Sequence, residues 1–169
     1  MPPPTVNLPS CDSPHLRLVH PTDDEKTGTW IANGQVWRGQ LPLPVYLRRE
    51  VHLANQAFTR DGGITYWALV DTSVASSSKN RIILASCETL RKRALISREG
   101  QPVQDIISHG IGSVFCDPAF RGKGYAGRML SELGKILDTW QQQEGNKVDF
   151  TILFSDIGKV RDSWTPVQL

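Results

Sequence analysis

The sequence predicts a single mixed α/β domain, and three observations lead to that prediction. The chain has 169 residues, of which 39% are hydrophobic and 21% charged, the composition of an average protein that buries a core. Segments with the spacing of strands and of amphipathic helices are mixed along the chain. The last third contains a strand–loop–helix–strand unit, so helices are expected to pack on a central sheet.

Charge, hydropathy and cysteine content exclude several classes of protein. Lys and Arg total 19 against 17 Asp and Glu, so we expect no nucleic-acid partner held by bulk charge. No apolar run approaches the roughly 20 residues of a membrane span, and no membrane partner is expected. Cys11, Cys87 and Cys116 are odd in number and widely spaced, which predicts a cytoplasmic protein without disulfides. Without a C-x-x-C or paired-His motif, no metal site is predicted.

The N-terminal part is expected to contain a leader, a strand and a capped helix. Residues 1–14 hold five of the eleven prolines, which predicts an extended leader that does not pack. Residues 15–19 form a short strand candidate. Thr22 and Glu25 stand in the S/T-x-x-E relation of a capping box, so a helix is predicted to start near Asp23.

Glycines and apolar spacing define the next two helical segments. Gly28 and Gly34 are expected to make the first helix irregular, and residues 39–44 form a break. A second, amphipathic helix is predicted from Val45 up to residues 61–63, where an Asp-Gly-Gly sequence stops it. Its apolar face has 4, 3, 4 spacing and consists of Leu47, Val51, Ala54 and Phe58.

The remaining segments alternate between strands, turns and one helix. Strands are predicted over residues 64–70, 81–90, 103–116 and 148–154. Loops are expected at residues 73–80 and 97–102. The helix opens near Tyr125 and closes at residues 145–146. Its apolar face consists of Ala126, Met129, Leu130, Leu133, Leu137 and Trp140.

The segment between the third of these strands and the helix has the properties of an anion site. A strand leads into a loop rich in glycine and cations, and the loop becomes the first turn of a helix, whose free N–H groups and dipole attract phosphate. Gly122 and Gly124 let the backbone approach the anion closely, and Arg121 and Lys123 add charge. The segment predicts a phosphate-bearing ligand, of the nucleotide type.

Three general interpretations of this segment remain possible at this point. Gly122, Gly124 and Gly127 match the dinucleotide fingerprint, but Pro118 and Arg121 intervene after the strand, and only 42 residues (169 minus 127) follow. A Walker A loop fails because Gly124 stands where the motif needs Ser or Thr. A glycine-rich turn whose basic residues face water is the alternative without a ligand.

A more specific resemblance accounts for the same residues. Arg121-x-x-Gly124-x-Ala126 resembles the acetyl-CoA signature of the GCN5-related N-acetyltransferase superfamily, and Val114, Phe115 and Cys116 occupy the place of its cofactor strand. Within that superfamily, residues 86–95, 108–114 and 125–129 resemble fungal lysine N6-acetyltransferases of lysine catabolism. The resemblance extends from about residue 15 to residue 158, the expected acetyltransferase domain.

The resemblance implies a fold and a set of acetyl-CoA contacts. The fold is a mostly antiparallel sheet, splayed around the cofactor, with helices on both faces. Backbone groups of Val114, Phe115 and Cys116 would pair with the pantetheine arm. The N–H groups of the glycine loop would hold the pyrophosphate. The residues of this loop are Arg121, Gly122, Lys123, Gly124, Tyr125 and Ala126. A bulge near residues 110–112 would splay the strand from residues 148–154, where a backbone N–H stabilises the developing oxyanion.

Acetyl transfer to an amine also needs a proton acceptor, because a lysine ε-amine has a pKa of about 10.4. Glu88 and His109 are the candidates near the splay. The alternatives are that Glu88 pairs with the basic run of residues 91–93 and that His109 is a hydrogen-bonded strand residue. The basic run itself is a solvated face, a contact for the 3′-phosphate of coenzyme A, or a contact for an acidic substrate. Cys116 is expected to be an inert buried thiol.

The sequence departs from the superfamily after its last predicted strand. Members usually continue into another helix and two more strands. That helix carries a tyrosine that protonates the leaving thiolate. Here Tyr46, Tyr66 and Tyr125 are the only tyrosines, and residues 159–169 form a divergent tail. A C-terminally truncated enzyme is therefore expected, with residues 148–154 as an exposed edge where another chain could pair.

The resulting hypothesis is acetyl transfer from acetyl-CoA to a small-molecule primary amine, with free lysine as the leading acceptor by resemblance. The alternative is a non-catalytic acyl-CoA-binding or interaction protein.

Overall fold

Five strands form one sheet in the order β1-β2-β3-β4-β5. The computed structural model describes residues 8–78, 81–142 and 147–153. The first three strand pairs are antiparallel and the last is parallel, which confirms the predicted mixed fold with a mostly antiparallel sheet. The strands are β1 (Leu16–Val19), β2 (Ile64–Asp71), β3 (Ile83–Ile96), β4 (Gln104–Phe115) and β5 (Val148–Leu153).

The first helix, α1 (Asp23–Trp37), begins where the capping box predicts. Thr22 accepts a hydrogen bond from the Glu25 N–H, and the Glu25 side chain accepts one from the Thr22 N–H at 2.8 Å. The predicted irregularity at its glycines was wrong, because α1 continues through both. A Cβ added to Gly34 would lie 3.1 Å from the Tyr46 ring. Gly34 therefore permits the second helix to pack closely against α1.

The second helix, α2 (Leu43–Ala54), is displaced from its prediction. It begins two residues before Val45 and ends at Ala54, so Phe58 lies beyond it. The predicted apolar face is only partly buried, since Val51 and Phe58 are half exposed. The residue that α2 buries is Tyr46. Helix propensity and apolar spacing do not predict which face of α2 is buried, because the close contact between Gly34 and Tyr46 sets the rotation of α2.

The third helix, α3 (Tyr125–Leu137), lies against the sheet and forms the core with it. It begins where the sequence predicts and ends at Leu137. The expected stop at residues 145–146 lies outside the described residues. The core consists of the apolar face of α3 and buried residues of the strands. Among its members are Leu16, Trp67, Leu69, Ile111, Met129, Leu133 and Leu137.

Two strands differ in length from their predictions. β3 continues six residues beyond the predicted end at Leu90, because it stays paired with β4 as far as Ile96, which lies opposite Gln104. The basic run of residues 91–93 is therefore part of a strand. β5 begins at Val148 as predicted, and the predicted last residue, Phe154, lies outside the described residues.

The segment before β1 packs at the N-terminal end of α3. Leu8 and Cys11 contact the core, the Tyr125 hydroxyl donates a hydrogen bond to the Pro9 carbonyl, and Arg128 donates one to the Cys11 carbonyl at 2.9 Å. The prediction of an unpacked leader is thus wrong for residues 8–14. Its first seven residues lie outside the described part of the chain. The high proline content predicted an unpacked leader. Composition does not show the backbone contacts with Tyr125 and Arg128 that hold the segment.

Candidate active site

A β-bulge marks the point where β4 leaves its regular pairing. Ser86 lies opposite Phe115 and Glu88 opposite Gly112, so one residue of β3 faces two residues of β4. Ser113 takes the left-handed conformation there, with φ at 51°. The bulge lies just beyond the predicted residues 110–112, which stay in register. Gly112 lies beside Glu88, where an added Cβ would be at an ordinary contact distance of 3.5 Å from the Glu88 Oε1.

Beyond this bulge, one edge of β4 has no neighbouring strand in the described part of the chain. The last described pair of β4 and β5 is Ile111 opposite Leu153. Among residues 8–78, 81–142 and 147–153, no strand pairs with this edge at Val114, Phe115 and Cys116. Their side chains are engaged elsewhere, since Phe115 is buried and meets the Trp37 ring at 5.9 Å. An extended ligand can pair with such an edge through backbone hydrogen bonds.

Cys116 has the properties of a structural thiol. Its Sγ donates a hydrogen bond to the Leu84 carbonyl at 3.3 Å. Burial raises the pKa of the thiol, and a thiol is a much weaker nucleophile than a thiolate. These contacts support the expectation that Cys116 is inert.

The glycine loop joins β4 to α3 and presents free backbone N–H groups. Gly122 and Gly124 have φ values of 76° and 84°, which glycine adopts without strain, and Gly124 is the N-cap of α3. The first hydrogen bond of the helix runs from the Arg128 N–H to the Gly124 carbonyl. The N–H groups of Tyr125, Ala126 and residue 127 precede it and have no helical partner.

One side of this loop is open, while Cys11 lies against Gly124 on the other, where an added Cβ would be 3.1 Å from its Sγ. A Cβ added to Gly122 or Gly127 would have no neighbour within 4 Å, so the approach from these positions is open. Arg121 donates a hydrogen bond through Nε to the Cys116 carbonyl at 3.1 Å, which ties the loop to the strand, and Lys123 is exposed. Positive charge and free N–H groups at a helix N-terminus form an anion site.

Glu88 lies beside the bulge in a partly buried position. The Ser113 hydroxyl donates a hydrogen bond to its Oε1 at 2.9 Å. Burial raises the pKa of Glu88, the Ser113 hydrogen bond acts in the opposite direction, and the Glu50 carboxylate raises it further. Glu88 forms no ion pair with residues 91–93, and Arg93 pairs with Asp105 at 3.0 Å. A carboxyl group with a raised pKa is suited to accept a proton near neutral pH.

The structure places His109 on the other face of the sheet. His109 lies opposite Arg91 and Glu88 opposite Gly112. Because Glu88 and Arg91 are three residues apart on β3, their side chains point to opposite faces. The His109 ring is fully buried, with Nε2 at 3.0 Å from the Trp140 carbonyl oxygen. The two candidate bases are therefore not brought together.

His109 makes a testable contribution to stability. Burial lowers its pKa, the hydrogen bond with the Trp140 carbonyl acts in the opposite direction, and Arg91 lowers the pKa further. The unfolded chain then binds more protons than the folded chain as the pH falls below about 6.5. The free energy of unfolding is expected to fall over that interval, until the pH passes the folded-state pKa. Thermal melts between pH 8 and 5 check this, and His109→Gln should flatten the dependence; an equal slope in both proteins would contradict it.

Sequence reasoning missed Asn33 and Tyr66 as neighbours of the site. Both line a narrow cleft, about 10 Å³ in volume, together with Glu88, Ser113 and Trp30. Trp30 and Asn33 come from α1 at a spacing of three, which places them on one helix face. That spacing was a usable signal, but the sequence does not show which strand the face meets. A larger cavity of about 280 Å³ lies on the other flank of α1.

Comparison with proteins of known sequence identifies a distant relative. An uncharacterized protein of Saccharomyces cerevisiae, YGR111W, is 25% identical over an alignment 156 residues long; the match covers 79% of this chain and 39% of that protein. The chain thus spans about two fifths of the length of this curated relative. No family model matches the sequence.

Comparison with solved structures defines the class of fold. An acetyltransferase of Trypanosoma brucei has a TM-score of 0.53 at 16% identity, covering 91% of this chain and 99% of its own. Glucosamine-6-phosphate N-acetyltransferase from Arabidopsis thaliana gives 0.50 at 14% identity, with 84% and 83% covered. A transcriptional regulator from Bacillus halodurans gives 0.53 at 12%, with 92% and 99% covered.

These likenesses establish the fold, which is that of the GCN5-related N-acetyltransferases, as the sequence predicts. They do not by themselves assign a reaction, because one fold serves several functions. Among the described residues, no helix combines the length and the apolar character needed to cross a membrane.

Proposed function

We propose that this protein is an acetyl-CoA-dependent N-acetyltransferase that acts on a small-molecule primary amine. The observation that carries the proposal is one continuous arrangement. A bulged strand, one edge of which pairs with no strand among the described residues, runs into a glycine loop at a helix N-terminus, and a partly buried carboxyl group lies beside the bulge. Each of these features has a use in acetyl transfer. A protein can have this fold without having all of them together.

The backbone residues would hold acetyl-CoA, which supplies an acetyl group activated as a thioester. The free edge at Val114, Phe115 and Cys116 would pair with the pantetheine amides. The loop of residues 121–126 would bind the pyrophosphate through its N–H groups. A backbone N–H near the bulge would face the thioester oxygen and stabilise the negative charge that develops there.

Glu88 is the residue that we assign as proton acceptor. An amine is protonated at neutral pH, so it must lose a proton before its lone pair can attack. The amine nitrogen forms a bond to the acetyl carbon, the carbon–sulfur bond breaks, and coenzyme A leaves as the thiolate. The attached nitrogen then loses a second proton, which the thiolate takes up through water, so that the products are the amide and the coenzyme A thiol. The proton that the amine loses before the attack goes to the Glu88 carboxylate, directly or through water. His109 has no role in this scheme, because it lies on the opposite face.

Free lysine is the acceptor that we test first, and it is supported by the resemblance of residues 86–95, 108–114 and 125–129 to lysine N6-acetyltransferases. The curated relative does not carry a described activity that would narrow the choice. We place the reaction in the cytoplasm, since the three cysteines of the sequence are free in the structure.

The experiment follows the release of coenzyme A thiol by the purified chain with acetyl-CoA. The proposal expects little release without an amine, and release that rises with lysine and saturates. Mass spectrometry should then find acetyl-lysine. If no primary amine in a panel of amino acids, polyamines and amino sugars increases thiol release by a folded chain, the proposed activity is wrong.

A second candidate is a non-catalytic acyl-CoA-binding or interaction protein. It is favoured by Phe150 and Ile152 on β5, each 36% exposed. In that case the edge of β5 that pairs with no described strand is a site for a partner chain. Such a protein would bind acetyl-CoA but would not release thiol when an amine is added.

A further inference from the structure

Asn33 has a buried amide whose oxygen has no partner. It lies in the third turn of α1 and is 6% exposed, and its Oδ1 forms no hydrogen bond with any described residue. Buried polar atoms are paired in the great majority of cases. An asparagine inside a helix also has no advantage in helix propensity. Neither the packing nor the helix therefore explains this side chain.

The position of Asn33 suggests what it pairs with. It lines the same narrow cleft as Glu88, Ser113 and Tyr66. Trp30 and Tyr66 meet there edge to face, with ring centroids 5.8 Å apart. The cleft thus combines an unpaired acceptor in Asn33, an unpaired donor in Trp30 Nε1 and the carboxyl group of Glu88. The Lys26 ammonium already lies over the Trp30 and Tyr66 rings, at 5.6 and 5.7 Å, so the carboxyl group and the Asn33 oxygen are the groups that would receive the N–H donors of a ligand.

We propose that Asn33 is the residue that positions the acceptor amine, an inference that rests on the proposed acetyl transfer. A protonated primary amine has three N–H donors. One would bond to the Glu88 carboxylate and one to the Asn33 Oδ1. After Glu88 takes its proton, the neutral amine keeps the bond to Asn33, which fixes the direction of its lone pair toward the thioester.

The size of the cleft narrows the class of acceptor. A volume of about 10 Å³ holds about one water molecule, and therefore one unsubstituted nitrogen. We therefore expect the acceptor to be a primary amine. A secondary amine brings one donor fewer and carries an extra carbon into a narrow cleft, so we expect the wild-type chain to reject it.

The test compares three variants with the wild-type chain. Asn33→Leu has nearly the same shape but no acceptor oxygen, Asn33→Asp keeps the oxygen, and Asn33→Ala opens the cleft. In Asn33→Leu we expect the KM for the amine to rise about tenfold or more, with an unchanged Kd for acetyl-CoA and an unchanged or higher Tm. Asn33→Asp should recover part of the amine affinity. Asn33→Ala should accept Nε-methyl-lysine, which the wild-type chain rejects.

The outcomes separate this inference from the function on which it rests. If wild-type protein turns over amines and Asn33→Leu has an unchanged KM, the role of Asn33 is wrong while the activity stands. Should Asn33→Leu fail to fold, the same comparison with Asn33→Ala decides the question. Binding of acetyl-CoA without turnover of any amine would overturn both.

Discussion

Replacing Glu88 with Gln is expected to lower kcat for acetyl transfer by about 10²- to 10⁴-fold, the usual contribution of a general base. Gln keeps an oxygen that accepts the hydrogen bond from Ser113, which is 2.9 Å long in the wild-type chain, but it cannot take a proton. The shape of the site is therefore preserved while its chemistry is removed. The measurement is the initial rate of thiol release at saturating acetyl-CoA and amine.

The same variant should be at least as stable as the wild-type chain at pH 7. Burial raises the folded-state pKa of Glu88, so the folded chain binds this proton more tightly than the unfolded chain does. The stability that this contributes is present at low pH and is lost as the pH rises through the raised pKa. Gln does not ionise, and Glu88→Gln should lack this loss. A variant that is less stable at pH 7, or that keeps full kcat, would contradict the assignment.

Wild-type activity should show the matching dependence on pH. The rate is expected to fall as the pH is lowered through the Glu88 pKa, at a pH above the range of an exposed carboxyl group. Measuring kcat between pH 5 and 8 with a stable wild-type chain checks this directly. Glu88→Asp should keep a pH dependence of the same sign, since it still carries a carboxyl group.

Replacing Gly127 with Glu is expected to weaken acetyl-CoA binding by about tenfold or more and to stabilise the chain. Gly127 is in the first turn of α3, in open space and with an ordinary helical φ. Glu is about 0.5–1 kcal/mol better than Gly in a helix, and a negative charge near the N-terminus adds about 0.3–1 kcal/mol. The same charge repels a pyrophosphate held by the loop. Thermal melts and a titration of acetyl-CoA measure the two effects.

The matched control is Gly127→Gln, which has the same length without the charge. It should gain thermal stability and bind acetyl-CoA nearly as well as the wild-type chain. Gly124 is unsuitable for this comparison, because its φ is 84° and an added Cβ would lie 3.1 Å from the Cys11 Sγ. Equal affinities for the Glu and Gln variants would mean that the phosphates do not bind at this helix terminus.

Local signals in the sequence predicted the elements that depend on local interactions. The capping box of Thr22 and Glu25 placed the start of α1, and the apolar period placed the start of α3 at Tyr125. The glycine loop was predictable for the same reason, since its chemistry comes from neighbouring residues. At the strand end of the loop, the contacts expected with the cofactor come from backbone groups. They therefore do not depend on which side chains stand there.

Features that depend on distant contacts could not be predicted in this way. The length of β3 depends on its pairing with β4, and the rotation of α2 on the contact between Gly34 and Tyr46. Its place in a strand made Glu88 a candidate proton acceptor. Its hydrogen bond with Ser113 could not be predicted, because the bulge decides which residues of β3 and β4 lie opposite each other. Asn33 lies beside Glu88 because α1 crosses that part of the sheet; its spacing from Trp30 indicates a shared helix face but not which strand that face meets.

The most direct test of the central claim is a calorimetric titration of acetyl-CoA into the purified chain. The account predicts saturable binding of one acetyl-CoA per chain, with weaker binding of S-acetyl-pantetheine, because that compound lacks the phosphates that the loop of residues 121–126 would hold. A chain that unfolds cooperatively on heating but takes up no acetyl-CoA would contradict the account.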